Sequence, residues 1–254
     1  GKEILLVDRL SSILRVNGKN YTMTTTTSLY YNDSATREEV PVVGDDYDSA
    51  GLNFYNGSTE TVTVNANSTK SEFKHGEATV TSGTYEKDGK VYEYANTAEA
   101  PAKFDTTEVE GANGVWDDNY MITLAPLAST NAAVYKNFRV DAREENADGS
   151  ITFKIGGADC VLFLDVLANL SQAGKGLAYF VNYITENNVD ALNGESYWGR
   201  LDSYVTVAAN YIEFTTEVYW DDTEAGDAIY ARYETRFYNF GTTDVNTLPA
   251  GVNA

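Results

Sequence analysis

The amino-acid sequence predicts an α+β fold, a mostly antiparallel β-sheet that is apolar on one side and has helices packed against that side. Three observations predict it. Period-2 alternation of apolar and polar residues runs through Tyr211–Trp220 and Ile229–Phe240. Two apolar stripes at helical spacing, in Val161–Leu170 and Leu177–Ile184, fall between groups of strand-like segments. Short turn signals, Asn56-Gly57, Asp88-Gly89 and Asp148-Gly149, separate segments that read as strands.

The first element is a helix in Ile4–Leu14, where Leu6, Leu10, Ile13 and Leu14 share one face and Asn17-Gly18 provides the stop. Tyr21–Tyr31, dense in threonine and aromatic residues, is a long strand. Asn32–Ser49 is polar and acidic and reads as a loop. Phe54-Tyr55 and Thr61–Val64 flank Asn56-Gly57 as a hairpin, and Ala78–Tyr85 and Val91–Tyr94 flank Asp88-Gly89 as another. Thr97–Asn113 has little periodicity and reads as a connection or an irregular edge. Tyr120–Leu124, Tyr135–Val140 and Ile151–Ile155 are further strands.

Gly156-Gly157 breaks the pattern, and Asp159 is suited to cap the helix Val161–Leu170. Gly174 and Gly176 separate it from the helix Leu177–Ile184. Three strands close the chain, Tyr197–Val207, Tyr211–Trp220 and Ile229–Phe240, before a tail with Leu248 and Pro249. In the last pair, Ile212, Phe214, Val218 and Trp220 alternate with Tyr211, Glu213, Thr215, Glu217 and Tyr219. Ile229, Ala231, Tyr233 and Phe237 alternate with Tyr230, Arg232, Glu234, Arg236 and Tyr238. Each strand therefore has one apolar and one wet face. No repeat or linker divides residues 1–254, which reads as a single domain.

Composition narrows the function classes. A chain of 254 residues with 43% hydrophobic content can bury a sizeable core. Its formal charge of −20 repels phosphate backbones and argues against a nucleic-acid partner. Cys160 is the single cysteine, so no disulfide forms within the chain, and its apolar neighbours mark it as a packing residue. No apolar run is long enough to span a bilayer. The start at Gly1-Lys2-Glu3 is expected for a mature exported chain whose signal segment has been removed.

The opening Leu5-Leu6-Val7-Asp8-Arg9-Leu10 helix runs into Tyr21-Thr22-Met23-Thr24. The closing segment Ala231-Arg232-Tyr233-Glu234-Thr235-Arg236-Phe237-Tyr238-Asn239-Phe240 is followed by Asp244-Val245 and Leu248-Pro249. This order of elements resembles the LolA/LppX-like superfamily of exported bacterial lipoproteins and lipoprotein carriers. The resemblance implies a curved antiparallel sheet, an incomplete barrel, with helices packed on its concave face and an acyl chain bound between them. It also implies a cell-surface or extracytoplasmic location, with membrane contact only through a lipid anchor upstream of this chain.

An imperfectly covered apolar face leaves a dry cavity. On that reading Ile212, Phe214, Trp220, Tyr233 and Phe237 line the ligand site from the sheet, and Leu162, Phe163, Val166 and Phe180 line it from the helices. The alternative is a non-enzymatic recognition or adhesion module binding carbohydrate or protein. Tyr30, Tyr211, Tyr219, Tyr230 and Tyr238 all fall on the wet faces and can stack on sugar rings or dock a partner.

Chemistry-bearing motifs are sparse. His75 is the only histidine and no Gly-x-Ser-x-Gly occurs, so a Ser-His-Asp triad has no basis. Glu213 and Glu217 fall on the wet face and read as solvated. Asp45-Asp46-Tyr47-Asp48 lacks the glycine and distal glutamate of a calcium loop, and one His with one Cys cannot make a zinc site. The sequence implies no metal and no cofactor.

Overall fold

A computed structural model of the chain describes residues 1–2, 5–6, 8–10, 12, 20–32, 39–41, 57–115, 139–156, 199–222, 227–244 and 246–252. Twelve strands pair into one antiparallel sheet: β1 (Tyr21–Asn32), β2 (Glu39–Pro41), β3 (Thr59–Asn65), β4 (Ser68–His75), β5 (Ala78–Lys87), β6 (Lys90–Ala95), β7 (Asp105–Glu108), β8 (Arg139–Glu145), β9 (Ile151–Gly156), β10 (Gly199–Val207), β11 (Tyr211–Asp222) and β12 (Asp227–Tyr238). Two sequential meanders, β3 to β7 and β8 to β12, meet on β1, giving the order β7-β6-β5-β4-β3-β1-β12-β11-β10-β9-β8. β2 pairs with the far end of β1, at Tyr30–Asn32, beyond the stretch that β3 occupies. The sheet is open, with β7 and β8 at its ends. β8 blunts its edge with a bulge between Val140 and Ala142 and with exposed Arg143, Glu144 and Glu145.

This architecture corrects the expected α+β class. The sheet is antiparallel throughout, and helical backbone among the described residues is confined to positions 2, 5–6, 8–10 and 12. Among the described residues no helix reaches seven residues. The predicted helices Val161–Leu170 and Leu177–Ile184 lie outside the described residues. The described residues, rich in β-branched and aromatic side chains, are biased to strands, and their pairing into one sheet sets the class. In the opening segment the expectation holds where it is described: Leu6 and Leu10 are helical and buried.

Other boundaries shift. β2 lies inside the segment read as the loop Asn32–Ser49. β3 pairs with β1 and β4, and Phe54–Asn56 of the expected hairpin lie outside the described residues. β4 is a polar strand that the sequence reading passed over. β8 is described from Arg139, and the earlier residues of the expected strand Tyr135–Val140 lie outside the described residues. The Asp88-Gly89 hairpin is as expected. Both residues take positive φ, 52° and 75°, which is the geometry that matches the strand twist in a two-residue turn.

Cross-strand register aligns the apolar residues in lateral rows. One row runs Ile151–Val207–Ile212–Phe237–Met23–Val62 across six strands. A neighbouring row runs Phe153–Val205–Phe214–Thr235–Thr25–Glu60. We call this side the front face. Phe237 packs edge-on to Phe214, with centroids 5.9 Å apart, and lies 5.6 Å from Tyr21. Hydroxyl pairs are set into the same buried face, Thr25 with Thr235 at 3.0 Å and Ser203 with Thr216 at 3.1 Å. Glu60 is buried there as well and accepts a hydrogen bond from the Ser71 hydroxyl at 2.7 Å.

On the other half of the sheet the large aromatic cluster lies on the reverse face. Register carries the row Tyr211–Tyr238–Thr22–Thr63–Lys70–Gly83–Tyr94 along that face from β11 to β6. Tyr85, Tyr92 and Tyr94 gather there with Phe104, Leu248 and Val252. The C-terminal segment is the cover. Asn246 donates to the carbonyl of Thr63 at 3.1 Å and to the Ser68 hydroxyl at 3.2 Å, and it accepts from the Thr63 hydroxyl. Asn65 donates to the Asp244 carbonyl at 3.2 Å. Neighbouring strands in a sheet are rotated by about 20–25°, so the far strands of so wide a sheet differ greatly in direction.

Candidate functional site

The site is an open groove of about 990 Å³ on the reverse face. Thr24 and Thr26 of β1, Tyr211 and Glu213 of β11, and Glu234, Arg236 and Tyr238 of β12 make its floor. Alternation requires this: all seven belong to the parity opposite Met23, Ile212 and Phe237. The β10–β11 turn adds Ala209 and Asn210 at one end. Asn239, Phe240 and Thr242, where the chain leaves β12, form a second wall.

That second wall is tied down. Asn239 has φ 54° and Gly241 has φ 71°, so the chain reverses immediately after the strand. The Gly241 N–H donates to the Asn20 carbonyl at 2.9 Å. The Asn20 side chain accepts from the Thr243 N–H at 2.8 Å and donates to the Thr243 carbonyl at 3.2 Å. Floor residues are fixed in the same way, since the Tyr238 and Thr24 hydroxyls are hydrogen-bonded at 3.0 Å.

Tyr211 is held at two points. Its hydroxyl donates to Asp148 Oδ2 at 3.0 Å, and the Arg236 guanidinium lies 4.0 Å from its ring centroid. Asp148 in turn accepts from the Ser150 hydroxyl at 2.6 Å and the Ser150 N–H at 2.9 Å. The Ser150 hydroxyl, the Ser150 N–H and the Tyr211 hydroxyl hold the Asp148 carboxyl below its usual value. Farther along the face, Arg232 donates through Nε and Nη2 to one Glu217 oxygen at 3.1 and 3.0 Å. Glu217 is therefore an ion-pair partner rather than a solvated acid.

The chemical capacity of the groove is that of a binding surface. It offers aromatic rings, hydroxyls, amides, two carboxylates and one guanidinium on a hydrogen-bonded sheet. Among the described residues no group of three acidic, histidine or cysteine side chains converges to hold a metal ion. His75 ends β4, away from the groove-lining strands. Cys160 and Asp45–Asp48 lie outside the described residues.

Of the residues expected to line an apolar site, Ile212, Phe214, Tyr233 and Phe237 come together, buried on the front face of β11 and β12. Trp220 sits in β11 in register with Ile229 and Gly199. Its side chain, and Leu162, Phe163, Val166 and Phe180, lie outside the described residues. Of the tyrosines assigned to the wet face, Tyr211 and Tyr238 are directly in register and line the groove. Tyr30, Tyr230 and Tyr219 occupy one row at the other end of the same strands. The two rows are eight residues, or roughly 27 Å, apart along β12.

Sequence reasoning missed the threonines of β1, the contribution of Asn239 and Phe240, and the reach of Asp148 to Tyr211. The first carried a signal, because Thr24 and Thr26 have the period of a wet face. The last carried none, because Asp148 and Tyr211 are 63 residues apart.

No protein-family model matches this chain and no curated protein matches it in sequence.

Proposed function

We propose that the protein is a non-catalytic recognition module that binds a carbohydrate in the groove around Tyr211. The observation that carries this reading is the pairing of two floor tyrosines, Tyr211 and Tyr238, with a dense polar lining on a hydrogen-bonded sheet. A sugar ring presents apolar C–H faces, which stack on tyrosine, and hydroxyls at its rim, which exchange hydrogen bonds with threonine, asparagine, carboxylate and guanidinium groups. Glu213 and Glu234 in the lining, and a formal charge of −20 overall, favour an uncharged glycan over a polyanionic one. An acidic chain rich in threonine and tyrosine is consistent with work outside the cytoplasm, the setting in which we place it.

The test is isothermal titration of the full chain against cellohexaose, xylohexaose and N-acetylchitohexaose. At least one is expected to bind, and Tyr211→Ala is expected to abolish that binding while the urea unfolding midpoint stays within the error of the parent. No heat with any of the three overturns the reading.

A second reading places an apolar or lipid-like ligand against the front face. It is supported by the adjacent rows that bring Ile212, Phe214, Tyr233 and Phe237 together. A fatty-acid-like fluorescent probe whose emission rises on mixing, and rises equally with Tyr211→Ala, favours this reading over the first.

A further inference from the structure

We propose that Asp148, a turn residue outside the groove lining, is a positioning residue that makes the Tyr211 ring a rigid stacking platform. The inference rests on the carbohydrate reading and names the side chain that sets its geometry. Tyr211 is the first residue of β11, directly after the Ala209-Asn210 turn. A half-buried tyrosine at a strand start has rotamer freedom that must be lost when a ligand stacks on it. Here that freedom is removed in advance. The hydroxyl is donated to Asp148 Oδ2, and the Arg236 guanidinium packs over the ring.

The carboxylate is an effective anchor because it is itself fixed. Its other oxygen accepts both the N–H and the hydroxyl of Ser150. Gly149, at φ 81°, closes the turn, with its N–H donated to the Asn146 carbonyl at 3.0 Å. The Asn146 side chain donates to the Ser150 and Thr152 hydroxyls, both at 2.9 Å, and Thr152 pairs with the Thr206 hydroxyl at 2.8 Å. A continuous hydrogen-bonded path thus runs from β10 through β9 and its turn to the Tyr211 ring. It brings the β8–β9 turn to the groove, which the sheet order alone leaves two strands away from β11.

Two readouts test the proposal. The first is ¹³C relaxation of ring-labelled tyrosine in the full chain, the Tyr211 signal being assigned by its loss in Tyr211→Phe. A high ring order parameter is expected in the parent and a clear fall in Asp148→Ala. An unchanged order parameter overturns the proposal. The second is titration with whichever of cellohexaose, xylohexaose and N-acetylchitohexaose the parent binds. Asp148→Ala and Tyr211→Phe are each expected to weaken binding roughly three- to tenfold, the equivalent of ordering one side chain on binding. Combining them is expected to add nothing further. Tyr211→Phe removes the same hydrogen bond with the turn intact, so it separates the tether from any effect on folding. Binding that survives both substitutions unchanged overturns the positioning role and leaves the carbohydrate reading standing. Absence of binding by all three hexaoses in the parent overturns the carbohydrate reading and the platform role with it.

Discussion

Tyr94 lies across Gly83: a Cβ on Gly83 would stand 2.5 Å from the Tyr94 hydroxyl oxygen and 2.2 Å from the Thr69 carbonyl oxygen. The two residues are register partners on β5 and β6, so the missing side chain is what lets the ring fold over the strand. Gly83→Ala must push back either the ring or the backbone of β4. We expect it to destabilise the protein by about 1–3 kcal/mol, read as a lower urea midpoint with an unchanged slope. A midpoint equal to that of the parent would show that the ring is not held there.

Alkaline pH should loosen the sheet. Burial, with the Glu72 charge adding to it, pushes the Tyr94 phenol from 10.0 up to about 12. Burial also drives Tyr233 well above its ordinary value. The folded state keeps these protons more tightly than the unfolded chain. The associated stability is therefore complete below pH 10 and is lost as pH rises from about 10 toward 12. Urea midpoints taken between pH 8 and 11.5 check this, and Tyr94→Phe is expected to flatten the decline. Among the described residues the buried Tyr94 hydroxyl has no hydrogen-bond partner, so Tyr94→Phe should cost little at neutral pH.

The C-terminal segment should behave as part of the sheet. Asn246 bridges β3 and β4 through Thr63 and Ser68, and Val252 closes the tyrosine cluster. Asn246→Ala leaves those groups to find other partners, at an expected cost of about 1–3 kcal/mol. Hydrogen exchange offers the sharper check. Protection is expected to fall in β3 through β6 and to hold in β9 through β12. A uniform fall would mean that the segment stabilises the whole sheet rather than one half.

Phe237 is the centre of the front face, flanked in register by Met23 and Ile212 and in ring contact with Phe214 and Tyr21. Phe237→Ala removes a fully buried ring from a site whose neighbours are fixed by strand pairing. A loss of about 3–5 kcal/mol is expected by chemical denaturation. Tyr238→Ala, one residue along on the groove side, should cost far less while reducing saccharide binding. Similar losses for the two would contradict the assignment of faces.

The legible parts of this protein are those that depend on neighbours in the chain. Alternation in Tyr211–Trp220 and Ile229–Phe240 assigned Ile212, Phe214, Tyr233 and Phe237 to one face and Tyr211 and Tyr238 to the other. The register keeps both assignments. The Asp88-Gly89 and Asp148-Gly149 turns were readable because glycine and aspartate enter positive φ or bond their own backbone at little cost. β4 was not readable, because Ser68–His75 carries a single apolar side chain, Phe73, and its burial comes from neighbours in space. The fold class was misjudged for a related reason. It was drawn from two short stripes, Val161–Leu170 and Leu177–Ile184, which lie outside the described residues, whereas the pairing of twelve strands into one sheet depends on residues far apart in the chain.

By itself the sequence determined the strand-forming segments β1, β5, β6 and β9 to β12, the sides of the closing strands and the absence of a recognisable catalytic motif. All of these follow from side-chain period, backbone propensity and residue chemistry, which act over a few residues. Tertiary structure alone decided that β1 joins two meanders, that the aromatic cluster moves to the reverse face under the C-terminal segment, and that Asp148 meets Tyr211. Those outcomes depend on contacts between residues far apart in the chain, to which no local pattern is sensitive.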